Sequence, residues 1–139
     1  METKWPFSPQ LAEDEGVLLT DEPLDLKKAI DRVQSPTYGA VVTFSGCVRN
    51  SENGSFVQSI TYKAYEKMAL KVLREIVQKS KRKWHVNLIL QHRTGKVPVG
   101  ETSLIVVCAG VHRREAFEAC QYVIDEIKSC APIWKVEFE

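Results

Sequence analysis

Thr102–Glu139, TSLIVVCAGVHRREAFEACQYVIDEIKSCAPIWKVEFE, decides the fold of this chain. Thr102–Ala109 is nearly all apolar, which predicts a central strand covered on both faces. Gly110-Val111-His112 then turns into a helix. Ala116, Cys120, Val123 and Ile127 line one face of it, with Phe117 and Ile124 beside them. Pro132 stops the helix. Ile133–Phe138 alternates as a last strand, with Trp134, Val136 and Phe138 directed to the core and Ile133, Lys135 and Glu137 on the other side.

Outward from that unit, Glu66–Trp84 carries Ala69, Val72, Leu73, Ile76 and Val77 at helical spacing, and Asp25–Gln34 does the same with Leu26, Ala29, Ile30 and Val33. Tyr38–Gly46 and Val86–His92 read as buried strands, and Phe56–Tyr65 as a half-exposed one. Ser51–Ser55 and Arg93–Glu101 read as loops from their glycine, proline and polar content. Residues 1–24 form an irregular arm in which Val17–Thr20 is a short strand, and residues 25–139 form a single domain. The order α, β, β, α, β, β, α, β is segregated α+β. Residues 57–138 alone read βαββαβ, a ferredoxin-like order.

With 139 residues, 44% of them hydrophobic and 27% charged, the chain has the make-up of one globular domain. The net charge of +1 supplies no global field toward nucleic acid or membrane, so an anion site must be local. No apolar run approaches a bilayer span and the first residues lack a secretory pattern. Cys47, Cys108, Cys120 and Cys130 show neither a CxxC pair nor metal-like spacing. These readings predict reduced thiols, a cytoplasmic protein, no membrane and no metal.

The candidate chemistry is cationic. Lys128 borders the apolar face of the last helix, where an ammonium either aims into a cleft or snorkels for packing. Lys135 lies just past the Pro132 break, so the two ammonium groups can approach, unless Lys135 is an ordinary solvated strand residue. Close like charges lower one pKa and suit a lysine to acid, base or nucleophile work. His112-Arg113 precedes a helix N-terminus, which favours phosphate, or is a surface pair. Arg49 follows a buried strand at a glycine and so lies at a sheet end, where sites collect, and Cys47 beside it is a candidate activated thiol. The basic run Lys79–Lys83 sits where cations oppose a helix dipole, and no stacking aromatics mark it for nucleic acid.

Four segments together resemble one family. They are Gly46-Cys47-Val48-Arg49-Asn50, His92-Arg93-Thr94-Gly95, Ala109-Gly110-Val111-His112-Arg113, and Lys128 through Ala131-Pro132-Ile133-Trp134-Lys135. The chain from Tyr38 to Lys135 is similar to the molybdopterin synthase large (catalytic) subunit family, MoaE. The resemblance implies an α/β-hammerhead fold and a sulfurtransferase of molybdenum-cofactor biosynthesis. The substrate would be cyclic pyranopterin monophosphate, the product the dithiolene molybdopterin. A small ubiquitin-like subunit would bring sulfur as a thiocarboxylate on its C-terminal glycine, and no cofactor would be needed. The assembly would be a homodimer within a heterotetramer.

Carried onto this sequence, the resemblance puts Lys128 and Lys135 at the reacting carbons and Arg49, His112 and Arg113 on the phosphate. Cys47, Val48 and Glu137 join them as substrate-binding residues. Family members carry a second basic residue after the strand lysine, where this chain has Val136, and continue with a segment that completes the pocket, one of them across the dimer. Two other readings predict different behaviour: a non-catalytic nucleotide- or RNA-binding module, and a scaffold for a ubiquitin-like partner.

Overall fold

The structure, a computed structural model, describes residues 16–139. Its elements are β1 (Val17–Thr20), α1 (Leu26–Val33), β2 (Ala40–Cys47), β3 (Ser51–Glu52), β4 (Ser55–Phe56), β5 (Ser59–Ala64), α2 (Glu66–Trp84), β6 (Asn87–Arg93), β7 (Gly95–Pro98), β8 (Thr102–Gly110), α3 (Arg113–Cys130) and β9 (Ile133–Phe138). Residues 1–15, most of the expected arm, lie outside the described residues.

β8 organises the body. The main sheet runs β1-β6-β8-β2, antiparallel except for the β1–β6 pair. Leu104, Val106 and Cys108 of β8 join Leu73 and Val77 of α2 and Ala119 and Val123 of α3 in the larger core. Ile105, Val107 and Ala109, offset by one, pack with Ala29 and Val33 of α1 on the other face. This is the double-sided burial that the apolar run predicts, and period-2 alternation delivers it. α1 is capped by the Asp25 carboxylate, which accepts from the Lys28 backbone N–H at 3.1 Å. α2 ends at His85, whose φ of 54° lets its N–H reach the Lys81 carbonyl.

β1 joins the edge of this sheet, so the strand expected inside the N-terminal arm is part of the folded body. Gly16 permits the approach: a Cβ there would lie 2.6 Å from the Leu88 carbonyl oxygen.

The α+β class is observed, but the ferredoxin-like order is not. β5 and β9 leave the main sheet and form a second one, β7-β5-β9, with its own small core of Val48, Ile60 and Val97. Both stretches read as loops contain strands. Asn53 and Gly54 take positive φ in a tight turn between β3 and β4, the chemistry of a two-residue hairpin. β7 pairs antiparallel with β5 despite its terminal Gly95 and Pro98. The expectation that Trp134, Val136 and Phe138 fill the core is also corrected. All three are exposed, as is Phe117 on α3, although the Trp134 ring packs against Tyr65 at 4.8 Å between centroids.

Two hydrogen bonds fix the chain where β6 ends and turns toward β7. Arg93, buried, donates from Nη1 to Glu101 Oε1 at 2.8 Å, and the Thr94 N–H donates to the Thr20 carbonyl at 2.7 Å. The Nε of Arg93 has no partner, so Glu101 carries most of the compensation for that buried charge. Glu101→Gln is expected to destabilise by about 1–3 kcal/mol, below the roughly 3–5 kcal/mol of a fully buried pair because this carboxylate is half exposed. Urea unfolding checks this as a lowered midpoint at unchanged slope.

Candidate active site

A cavity of about 300 Å³ opens where the two sheets meet the C-terminal end of α3. Its walls come from β2, β5, β6, β8, α3 and β9, so it exists only because separate elements converge. Lys128 enters from the last turn of α3 and Lys135 from β9. Pro132 separates them. Its carbonyl accepts from the Tyr65 N–H at 3.2 Å, which fixes the return of the chain beside β5. Tyr62 is the register partner of Lys135, so the two side chains share a face, and both line the cavity.

Two register breaks border this space. Between Gly46 and Cys47 the pairing with β8 skips Ser103, and between Thr61 and Tyr62 the pairing with β9 skips Val136. Each break inserts one extra residue, which bends a strand and re-aims its side chains. Ser103 turns its hydroxyl to the Gly46 carbonyl at 3.2 Å. The extra residue in β9 also interrupts the strict alternation expected from Ile133 to Glu137; the side chain of Glu137 lies outside the described residues.

Lys135 donates to Glu52 Oε1 at 3.0 Å, and the Glu52 side chain is only 17% exposed. The β3–β4 hairpin therefore delivers a carboxylate onto one of the two cavity cations. Lys128 has no ion pair among the described residues. Cys47 also lines the cavity, its Sγ lying 3.8 Å from Thr102 Oγ1 and 4.0 Å from the Ser45 carbonyl oxygen.

His92, the last residue of the expected Val86–His92 strand, lines the same cavity although it is only 7% exposed. Its ring meets Tyr62 edge to face at 5.4 Å between centroids. Burial lowers its pKa below the ordinary 6.5, and the hydrogen bond to the Arg93 backbone offsets part of that. The signal for it was the HRTG segment, whose histidine ends an apolar strand.

The other expected site residues are placed elsewhere. Val48 is buried in the smaller core; its N–H donates to the Glu101 carbonyl and its carbonyl accepts from the Gly100 N–H. Arg49 is exposed, two residues beyond Cys47, with no ion pair among the described residues. His112 caps α3 and lies 3.7 Å from Glu115 Oε2, and Arg113 opens the first turn; both are exposed. At roughly 1.5 Å per residue, about 22 Å of helix separates Arg113 from Lys128. Within one chain these cations do not share a cavity. Cys108 and Cys120 are core residues; the hydrogen bond that Cys108 donates to Cys120, and burial, push the Cys108 thiol up.

The arrangement defines an α+β protein with a cationic cavity at a sheet junction, suited to take an anion and act on it. Residues 19–130 match the family described as MoaE protein. The chain is 42% identical over 115 residues to the molybdopterin synthase catalytic subunit of Arabidopsis thaliana, covering 82% of this chain and 58% of that one. It is also 42% identical over 114 residues to the protein of that name from Thermoplasma volcanium, covering 81% of each. The structure superposes on molybdopterin synthase from Staphylococcus aureus with a TM-score of 0.82 at 29% identity, over 88% and 90% of the two chains. It also resembles a chain of the complex of subunits 1 and 2 of molybdopterin-converting factor from Helicobacter pylori, with a TM-score of 0.75 at 28% identity, over 86% and 82%. The chain thus spans less than two thirds of the Arabidopsis relative and about four fifths of the Thermoplasma one. It belongs to the MoaE protein family.

Glu52 competes with any anion for the Lys135 ammonium. Glu52→Gln is expected to tighten inorganic phosphate about 2–5-fold, the worth of a partly exposed ion pair, and Lys135→Ala to weaken it. Calorimetric titration of both variants decides this.

Proposed function

We propose that this chain is the catalytic subunit of a molybdopterin synthase and works in the cytoplasm. It transfers sulfur from the thiocarboxylated C-terminus of a small ubiquitin-like subunit to cyclic pyranopterin monophosphate, forming the molybdopterin dithiolene. The observation that carries the reading is the meeting of Lys128 and Lys135, from a helix and a strand, in one cavity. Membership of the family supports the activity, and the subunit complex resembled in Helicobacter pylori supports a small-subunit partner.

In this reading the two ammonium groups flank the reacting carbons. They stabilise charge that develops as the thiocarboxylate adds and oxygen leaves, and they supply protons to the departing oxygen. Arg49, His112 and Arg113 hold the cyclic phosphate by charge-assisted hydrogen bonds. The length of α3 argues that His112 and Arg113 serve a cavity other than that of their own chain, which a two-fold dimer provides. The exposed Trp134, Val136 and Phe138 on the outer strand β9 give a partner apolar surface to cover.

Mixing the protein with thiocarboxylated small subunit and cyclic pyranopterin monophosphate, then assaying dithiolene, tests the reading. Tail binding without turnover would leave a scaffold. Salt-sensitive RNA affinity without turnover would leave a nucleic-acid module. Lys128→Ala is expected to cut the rate by about 10²-fold or more at unchanged melting temperature. Shared sites are tested by mixing Lys128→Ala with Arg113→Ala subunits. If the groups come from opposite chains of a two-fold dimer, random re-pairing restores about a quarter of wild-type activity. If they come from one chain, nothing is restored.

A further inference from the structure

The cavity holds two cations and one neutral base. Lys128 and Lys135 bear only hydrogen-bond donors, and a guanidinium or ammonium brought from elsewhere would add only more. His92 differs. Its Nδ1 lies 2.8 Å from the Arg93 carbonyl oxygen. A carbonyl only accepts, so Nδ1 carries the hydrogen and Nε2 keeps its lone pair. No hydrogen bond to Nε2 exists among the described residues, and the ring lines the cavity while more than nine-tenths buried. Burial disfavours the imidazolium, so the group stands ready as an acceptor at neutral pH. Its tautomer is fixed by its own neighbour's backbone, so no second side chain is needed to orient it.

We propose that His92 is the general base that activates the water releasing sulfur from its carrier. This rests on the sulfur-transfer reading above. Once the thiocarboxylate sulfur has bonded to a substrate carbon, that sulfur bridges the carrier's acyl carbon and the substrate. The acyl carbon–sulfur bond must then break. Water oxygen bonds to the acyl carbon as one water proton passes to His92 Nε2, and the carbonyl π pair becomes an oxyanion. The oxyanion re-forms the carbonyl, and the electron pair of the carbon–sulfur bond leaves with sulfur as a thiolate on the substrate. The carrier departs as a carboxylic acid that loses its proton to solvent. The imidazolium, disfavoured by burial, returns its proton to solvent. No oxidant or reductant enters. The ammonium groups of Lys128 and Lys135 offset the oxyanion and the thiolate.

The test is single turnover of the wild-type chain, His92→Gln and His92→Phe with thiocarboxylated small subunit and cyclic pyranopterin monophosphate. Dithiolene and the intact mass of the small subunit are followed together. The wild type forms dithiolene without accumulating adduct. Each folded variant is expected to form dithiolene about 10²–10⁴-fold more slowly, the usual worth of a general base. Meanwhile the small subunit accumulates at its own mass plus that of the bound pterin, a signature that mere loosening of the frame does not produce. Wild-type dithiolene rates in His92→Gln overturn the proposal, as does loss of the adduct together with the product. Failure of both variants to fold also overturns it, making His92 part of the frame. A wild type that forms no dithiolene overturns the sulfur-transfer reading itself.

Discussion

Everything in this structure is referred to a strand with no free edge and no free face. β8 is paired along both edges and buried on both faces, between α2 and α3 on one side and α1 on the other. Alternation leaves it no solvent face, so a slip by one residue would exchange two sets of apolar side chains between differently shaped cores. That constraint fixes the ends of its neighbours as well. The cavity opens at the end where β8 emerges, with the irregular Ser103 between the fixed body and the smaller sheet. A site needs side chains held by packing, and here one wall comes from the strand buried on both faces.

The parts of this arrangement legible in the sequence are those set by local period. Thr102–Ala109 declared its double burial by lacking polar alternation. Glu66–Trp84 declared both its ends, and Pro132 its stop. Pairing was not legible, because a period of two says which residues share a face and not which strand lies alongside. The ferredoxin-like reading failed for that reason: β5 and β9 pair with each other and leave β6 and β8 to a different sheet. The β3–β4 hairpin was available in Asn53-Gly54, yet two-residue strands carry too few side chains for any pattern. Trp134, Val136 and Phe138 were assigned inward because apolar alternation usually marks a core. The physical content of that pattern is only that something covers them, and a partner chain does so as well as a core.

The site divides along the same line. The helical wheel put Lys128 at the border of a buried face, and the structure puts it in the cavity with Lys135. The residue pattern alone could not choose between that and a snorkelling lysine; the family resemblance made the choice. His112-Arg113 stood out as a helix N-terminus, and the family resemblance joined it to Lys128 at the far end of the same long helix. His92 was passed over because its meaning depends on a backbone carbonyl one residue away and on Tyr62 from another sheet. Nothing in a histidine's position along a strand reveals its tautomer.

The charge arrangement follows from the cost of holding like charges together. Two ammonium groups around a cavity of about 300 Å³ repel. Glu52 relieves it by occupying Lys135 in the absence of an anion, leaving Lys128 as the cation without an ion pair among the described residues. An incoming anion takes over the role of Glu52 on the Lys135 ammonium. A third cation would upset that balance, and a protonated His92 would be one. Its burial keeps the ring neutral, so the same desolvation that disfavours its charge preserves both the anion site and a lone pair beside it.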